Sequence, residues 1–299
     1  MKSFPSKLLL FGEHTVLKGG SALAVPFHQF SGTWKEGKPP EGQPDMTSFL
    51  EYLGQLHSEG SLILTLNLRQ MEKELQNGLY FQSDIPMGYG LGSSGAFCAA
   101  VNFRFGEPPS KLEIKPLQEG LAQMESFFHG SSSGTDPLVS YLQMPLTLSS
   151  GKAYPPLWQK HTEELMERFF LVDSQVPRES NPLIQKFLER FEEPGYAAAV
   201  QDLLIPATDK AIKNLLSGDQ LSLEENMGVI SRFQFEHMPW MILPELQRHW
   251  KAGLRSHSFY LKVCGAGGGG FYLGYARDPG AAREHFGRSQ TPLIWLEES

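Results

Sequence analysis

Residues 86–96 read Pro86-Met87-Gly88-Tyr89-Gly90-Leu91-Gly92-Ser93-Ser94-Gly95-Ala96, and the small-residue run Phe97-Cys98-Ala99-Ala100-Val101 follows without a break. Glycines at alternate positions let a backbone turn tightly and aim its N–H groups inward. The run beyond them predicts a helix whose positive N-terminal end faces the same space. A loop and helix end of that kind bind phosphate. Gly88, Gly90, Leu91, Gly92, Ser93 and Ser94 are therefore candidate phosphate contacts, the two serines adding hydroxyls where a metal-bound phosphate would sit. The plainer alternative is a glycine-rich helix cap with no ligand.

Outward from this loop the chain alternates strand-like and helical patterns, which predicts an α/β fold. Residues 6–12 and 20–27 read as buried strands, 35–44 as a Pro- and Gly-rich loop, and Thr47–His57 as a helix. Stretches 61–66 and 78–83 look extended. Leu117, Leu121, Met124 and Phe128 mark one face of a helix ending at His129-Gly130, and the loop 131–137 leads into a short apolar segment from Leu138. Phe169–Asp173 is the next clear strand. Helical patterns follow at 181–193, 197–216, 220–237 and 244–254, then the strands 258–264 and 271–276, a helix at 279–287 and a terminal strand at 292–297. At roughly 150 residues per domain, 299 residues suggest two domains. The boundary is expected near 160, giving 1–160 and 161–299.

Composition narrows the function. Twenty-six Lys and Arg against 33 Asp and Glu leave a net charge of −7, the wrong sign for general nucleic-acid binding. Two cysteines, Cys98 and Cys264, are too few for a disulfide framework or a four-cysteine zinc site, and both read as small buried thiols. No window approaches a membrane span, and the apolar run at 8–11 is too short for a signal peptide. A soluble, cytoplasmic protein is expected, with no nucleic-acid or membrane partner.

Four other groups of residues could carry chemistry. Glu125 and His129 lie four apart on one helix and share a face; Glu125 borders the apolar stripe, where a carboxylate is paired, solvated or metal-bound. Asp136 follows in a Ser/Gly loop that can aim a carboxylate into a cleft, although Asp-Pro-Leu also suits a helix N-cap. Lys7 opens the first strand, and Glu13 and His14 follow its end at Gly12. Gly265-Ala266-Gly267-Gly268-Gly269-Gly270 stands between two strands, the wrong setting for a dinucleotide-binding turn. Gly32–Lys38 fits GxxxxGK but is followed by Pro39, so it is set aside.

Three motifs in order resemble the kinase superfamily of galactokinase, homoserine kinase, mevalonate kinase and phosphomevalonate kinase. They are Pro5-Ser6-Lys7 through Gly12-Glu13-His14, the glycine loop 86–96, and Lys262 through Gly270. Within it the constellation Glu125, His129-Gly130, Ser133-Gly134 and Asp136 is most similar to the mevalonate kinases. Ser132 stands where their pattern has Pro, and Cys264 where it has Thr. Val16-Leu17 after His14-Thr15 departs from the galactokinase pattern.

The resemblance implies a mixed-sheet N-terminal domain and a ferredoxin-like C-terminal domain, with ATP and substrate in the cleft between them. It implies ATP-dependent phosphorylation of the primary hydroxyl of mevalonate. Asp136 would be the catalytic base with Lys7 beside it, and Ser94 and Glu125 would hold Mg²⁺. Glu13 and His14 would contact substrate, and Gly265, Ala266, Gly267 and Gly268 would form the turn facing the nucleotide. A homodimer is compatible with it. The alternatives are phosphomevalonate or another small alcohol as substrate, and a catalytically inert binding homologue.

Overall fold

The computed structural model describes residues 2–39, 46–107, 113–177 and 180–296. Its first strand, β1 (Ser3–Phe11), is buried along nearly its whole length, as its apolar run requires. A short 3₁₀ turn at Thr15–Lys18 leads to β2 (Ala22–Glu36). This strand runs nine residues beyond the expected 20–27. In its outer half Gln29, Ser31, Thr33 and Lys35 alternate along one face. The other face carries Gly32 and Trp34, which pair across to β3 (Leu79–Ser83) with Trp34 opposite Phe81. A Cβ at Gly32 would lie 2.1 Å from the Phe81 ring, so the GxxxxGK match at 32–38 begins inside a strand. The expected loop at 35–44 lies partly outside the described residues.

Between β2 and β3 come α1 (Met46–Ser58) and α2 (Leu68–Gln76). The second was not expected. It starts where the Asn67 side chain accepts the Gln70 N–H at 3.0 Å, and it carries Leu68, Met71 and Leu75 at helical spacing with Met71 buried. The extended reading of 61–66 reduces to one bridge, Leu66 to Gly106. Then follow α3 (Ser93–Phe105), α4 (Ile114–His129) and α5 (Thr135–Leu142). Short β4 (Leu146–Ser149) and β5 (Lys152–Tyr154) form a hairpin, and α6 (Lys160–Met166) follows it. Strands β1, β2, β4 and β5 lie in that order in one sheet, with β3 also on β2.

Beyond β6 (Phe169–Asp173) the chain is helical through α7 (Ser180–Phe191), α8 (Pro194–Ala199), a π turn at Val200–Leu204, α9 (Ile205–Ser217), α10 (Gln220–His237) and α11 (Pro244–Ser256). It closes with β7 (Phe259–Val263), β8 (Phe271–Ala276), α12 (Pro279–Ser289) and β9 (Leu293–Trp295). The sheet order is β7-β8-β6-β9. Strand β6 is antiparallel to both β8 and β9, so β8-α12-β9 is a split unit with β6 between its strands. That is the ferredoxin-like arrangement, with a long helical insertion in the first crossover.

The internal contacts form two units, neither a continuous stretch. One comprises Met1–Leu8, Val25–Pro86 and Leu91–Leu146; the other comprises Leu9–Ala24, Met87–Gly90 and Thr147–Ser299. The expected division was a single cut at 160. The units interleave instead because β1 and β2 each give residues to both. The first unit is built on an aromatic cluster: Trp34 meets Phe81 edge-on at 5.4 Å, and Phe97 meets Phe49 at 5.0 Å. The buried indole N–H of Trp34 donates to Ala100 O at 3.2 Å, the partner a buried Trp needs. In the second unit Phe170 packs on Phe286 and Trp295, and Trp250 on Tyr272. Both cysteines are buried. Among the described residues no helix is long and apolar enough to cross a membrane.

Candidate active site

The Leu91–Ala96 part of the glycine loop and the loop after α4 meet at one point in the first unit. Gly92 caps α3 in the left-handed region at φ +72, which an L side chain rarely adopts. A Cβ there would also lie 3.0 Å from Asp136 Oδ2. One at Gly95 would lie 2.7 Å from Pro137 N. These two glycines thus let the first turn of α5 approach the first turn of α3. Asp136 is the second residue of α5; Gly134, at φ +70, is its N-cap. The helix-cap alternative for Asp136 is therefore not what the structure shows, and its carboxylate is free to face α3.

Lys7 Nζ meets Asp136 Oδ1 at 2.8 Å, with the lysine side chain almost wholly buried and the aspartate about a third exposed. Strand β1 delivers the lysine, and Lys7 N–H donates to Leu91 O at 2.8 Å. Leu91 itself is buried, so any contact it makes with a phosphate is through its backbone.

Glu125 and His129 share a face of α4, as their spacing predicts, and Ser94 stands between them. Ser94 Oγ donates to Glu125 Oε1 at 3.0 Å and lies 3.0 Å from His129 Nε2. With the single Ser94 proton on Glu125, His129 supplies its own Nε2–H to that oxygen. Ser132 Oγ donates to the other carboxylate oxygen, Oε2. Glu125 is buried, and burial pushes its carboxyl up to about 7, helped by the negative charge of Asp136; Ser132, Ser94 and Lys7 oppose the shift. A buried carboxylate beside a second carboxylate and a serine hydroxyl is a set of hard oxygen donors. A divalent cation would relieve both causes of the upward shift, so these residues fit one.

The remaining candidates lie in the second unit. Glu13 is buried and forms an ion pair with Lys262 of the third motif, which also donates to Val263 O at 2.8 Å. Lys262 lies in the third motif with nothing local to signal a partner 249 positions away. His14 is buried with its ring 5.0 Å from Phe187. In the third motif Gly265, Gly267, Gly268, Gly269 and Gly270 all have positive φ. The N–H of Gly268 donates to Met241 O and that of Gly270 to Val176 O, both at 2.7 Å. Much of this turn's glycine content therefore serves packing: a Cβ at Gly270 would lie 2.9 Å from Tyr89 O. Cys264, in place of the expected threonine, directs its Sγ to Leu9 O at 3.8 Å.

Residues 62–143 match the family described as GHMP kinases N terminal domain. A curated mevalonate kinase of Pyrococcus horikoshii is 28% identical over 95% of this chain and 90% of its own. Among solved structures, L. major mevalonate kinase in complex with R-mevalonate superposes with a TM-score of 0.62 at 16% identity, covering 98% of this chain and 93% of that one. Streptococcus pneumoniae phosphomevalonate kinase, in complex with phosphomevalonate and AMPPNP, gives 0.63 at 14%, covering 98% of each. The fold alone does not separate these two. The chain is thus similar to the GHMP kinases N terminal domain over residues 62–143 and to curated mevalonate kinases over nearly its whole length, and its second sheet has the ferredoxin-like order.

Proposed function

We propose that the chain is a mevalonate kinase, transferring the γ-phosphoryl group of ATP to the primary hydroxyl of mevalonate. The observation that carries this reading is the Lys7–Asp136 pair, set against the glycine-capped start of α3. Asp136 Oδ1 is held by Lys7, which leaves Oδ2 to take the alcohol proton. Lys7 also places a fixed positive charge beside the transferring group, and phosphoryl transfer gains mostly from positioning and charge neutralisation.

The loop Gly88–Ser94 holds the ATP phosphates through backbone N–H groups at the helix end. Ser94 and Glu125 would hold Mg²⁺, which would supply charge neutralisation on the phosphate oxygens. Among the described residues no three His, Cys, Asp or Glu side chains gather as a cation site. Glu13 and His14, the candidate substrate contacts, are each held within the second unit: Lys262 pairs with Glu13, and Phe187 packs against His14.

The full-length likeness to curated mevalonate kinases supports mevalonate over phosphomevalonate. An inert homologue is disfavoured because Lys7, Glu125 and Asp136 are all present and assembled. The test is ADP release over mevalonate, phosphomevalonate, galactose and homoserine. Turnover with mevalonate alone is expected; preferential turnover of phosphomevalonate moves the substrate assignment, and no turnover with any of them defeats it.

A further inference from the structure

Ser132 lies in the loop between α4 and α5. A serine hydroxyl has one proton to give and two lone pairs to receive. Here Gly134 N–H donates to Ser132 Oγ at 2.9 Å, and the hydroxyl proton goes to Glu125 Oε2. The rotor is fixed from both sides, because turning it away strips a partner from a buried carboxylate oxygen. Ser94 Oγ takes the other oxygen, Oε1. The two oxygens of Glu125 are therefore distinct: Oε2 is tied to the loop, and Oε1 faces the start of α3.

The tie has a second end. Gly134 caps α5, and Asp136 sits two residues on, paired with Lys7. A Cβ at Gly134 would lie 2.3 Å from Gln118 O of α4, so this turn lies directly on the helix that carries Glu125. We propose that Ser132 is a positioning residue: it links the Glu125 carboxylate to the turn that aims Asp136, and so leaves Oε1 as the single oxygen of Glu125 presented to a divalent cation. The inference rests on the reading of Ser94 and Glu125 as cation ligands.

The test is a Mn²⁺ titration of the full chain with AMP-PNP, followed by the loss of the free Mn²⁺ signal in electron paramagnetic resonance. Ser132→Ala is expected to weaken Mn²⁺ binding about tenfold, the loss of one hydrogen bond to a charged group. Its metal-free affinity for AMP-PNP stays within about twofold of the wild type. Ser132→Thr, which keeps the hydroxyl, is expected to restore binding, and Ser132→Val, its near-isostere, is not. Should Ser132→Ala fail to fold, the Thr and Val pair decides the matter. Wild-type Mn²⁺ binding by Ser132→Ala, or equal binding by the Thr and Val variants, overturns the tie. Glu125→Gln, run alongside, separates the two failures. If it also binds Mn²⁺ like the wild type, the cation reading of Glu125 is what fails; if it binds weakly while Ser132→Ala does not, the tie alone fails.

Discussion

Lys7 and Asp136 stand 129 positions apart in sequence and meet at 2.8 Å, the lysine on a buried strand and the aspartate in the first turn of a short helix. The lysine is fixed at its backbone by Leu91 O and at its ammonium by Asp136 Oδ1. The aspartate's other oxygen lies where Gly92 leaves room. One carboxylate oxygen is thus engaged and the other open, the asymmetry a proton acceptor needs.

Asp136→Asn keeps the shape but removes the charge and the base. The turnover number is expected to fall by about three orders of magnitude or more, with AMP-PNP affinity within a few-fold of wild type. Single-turnover kinetics and nucleotide titration check it. A folded variant with near-normal turnover would remove Asp136 from the chemistry.

Glu125→Gln should act on two readouts. The Mg²⁺ concentration for half-maximal activity rises, because a charged oxygen ligand is lost. The metal-free protein gains stability above neutral pH. The carboxyl titrates near 7 in the folded chain, above its ordinary range, so the native state holds the proton more tightly than the unfolded one. Its contribution to stability therefore declines as pH rises from about 4.5 to 7. In thermal melts with chelator the variant should melt higher than wild type at pH 8, and the gap should close at pH 5. An equal gap at both pH values would contradict this.

Lys262 and Glu13 form a pair buried on both sides. Removing one partner strands a charge without solvent, at a cost of about 3–5 kcal/mol. Glu13→Gln or Lys262→Met alone is expected to destabilise strongly, and the double substitution much less. Urea unfolding of the three variants gives the coupling. Strict additivity would show that the pair does not interact.

Gly95→Ala has no left-handed backbone to blame, since its effect is steric. The added Cβ meets the Asp136–Pro137 backbone at 2.7–2.8 Å, so α5 must shift away from α3. A loss of about 1–3 kcal/mol is expected, along with a fall in turnover larger than any change in substrate KM. Wild-type turnover in a folded variant would show that the approach of the two helices is not needed.

His249 is buried, accepts from Arg248 Nε at 3.1 Å and lies 2.9 Å from His285 Nε2. Burial, then the charges of His285 and Arg248, hold it down at about 4. Unfolded, it would titrate near 6.5, so its stability contribution is complete above that pH and lost as pH falls toward 4. The loss amounts to at most about 3 kcal/mol. Urea midpoints at pH 7, 5.5 and 4.5 should fall in that order, and less steeply in His249→Phe. Parallel curves for the two proteins would acquit His249.

Local sequence determined the elements with strong periodicity or strong punctuation. The helix at 114–129, the strand at 169–173, the glycine turn between β7 and β8 and the helix after Gly92 are all legible, because apolar spacing and glycine act within a few residues. So was the set Lys7, Ser94, Glu125 and Asp136, whose residue types and order resemble a kinase superfamily. Tertiary structure decided the rest. The outer half of β2 is a strand because β3 supplies its hydrogen bonds, and the short β4–β5 hairpin buries too little to leave a pattern. The requirement for glycine at 92 and 95 comes in part from Asp136 and Pro137, packed against them from another helix. Glu13 carries no mark of Lys262, nor Ser132 of Glu125, since a hydroxyl or carboxylate takes its role from the partner that the fold brings to it. Spacing along one chain specifies faces and turns; which faces meet depends on long-range packing that no single window contains.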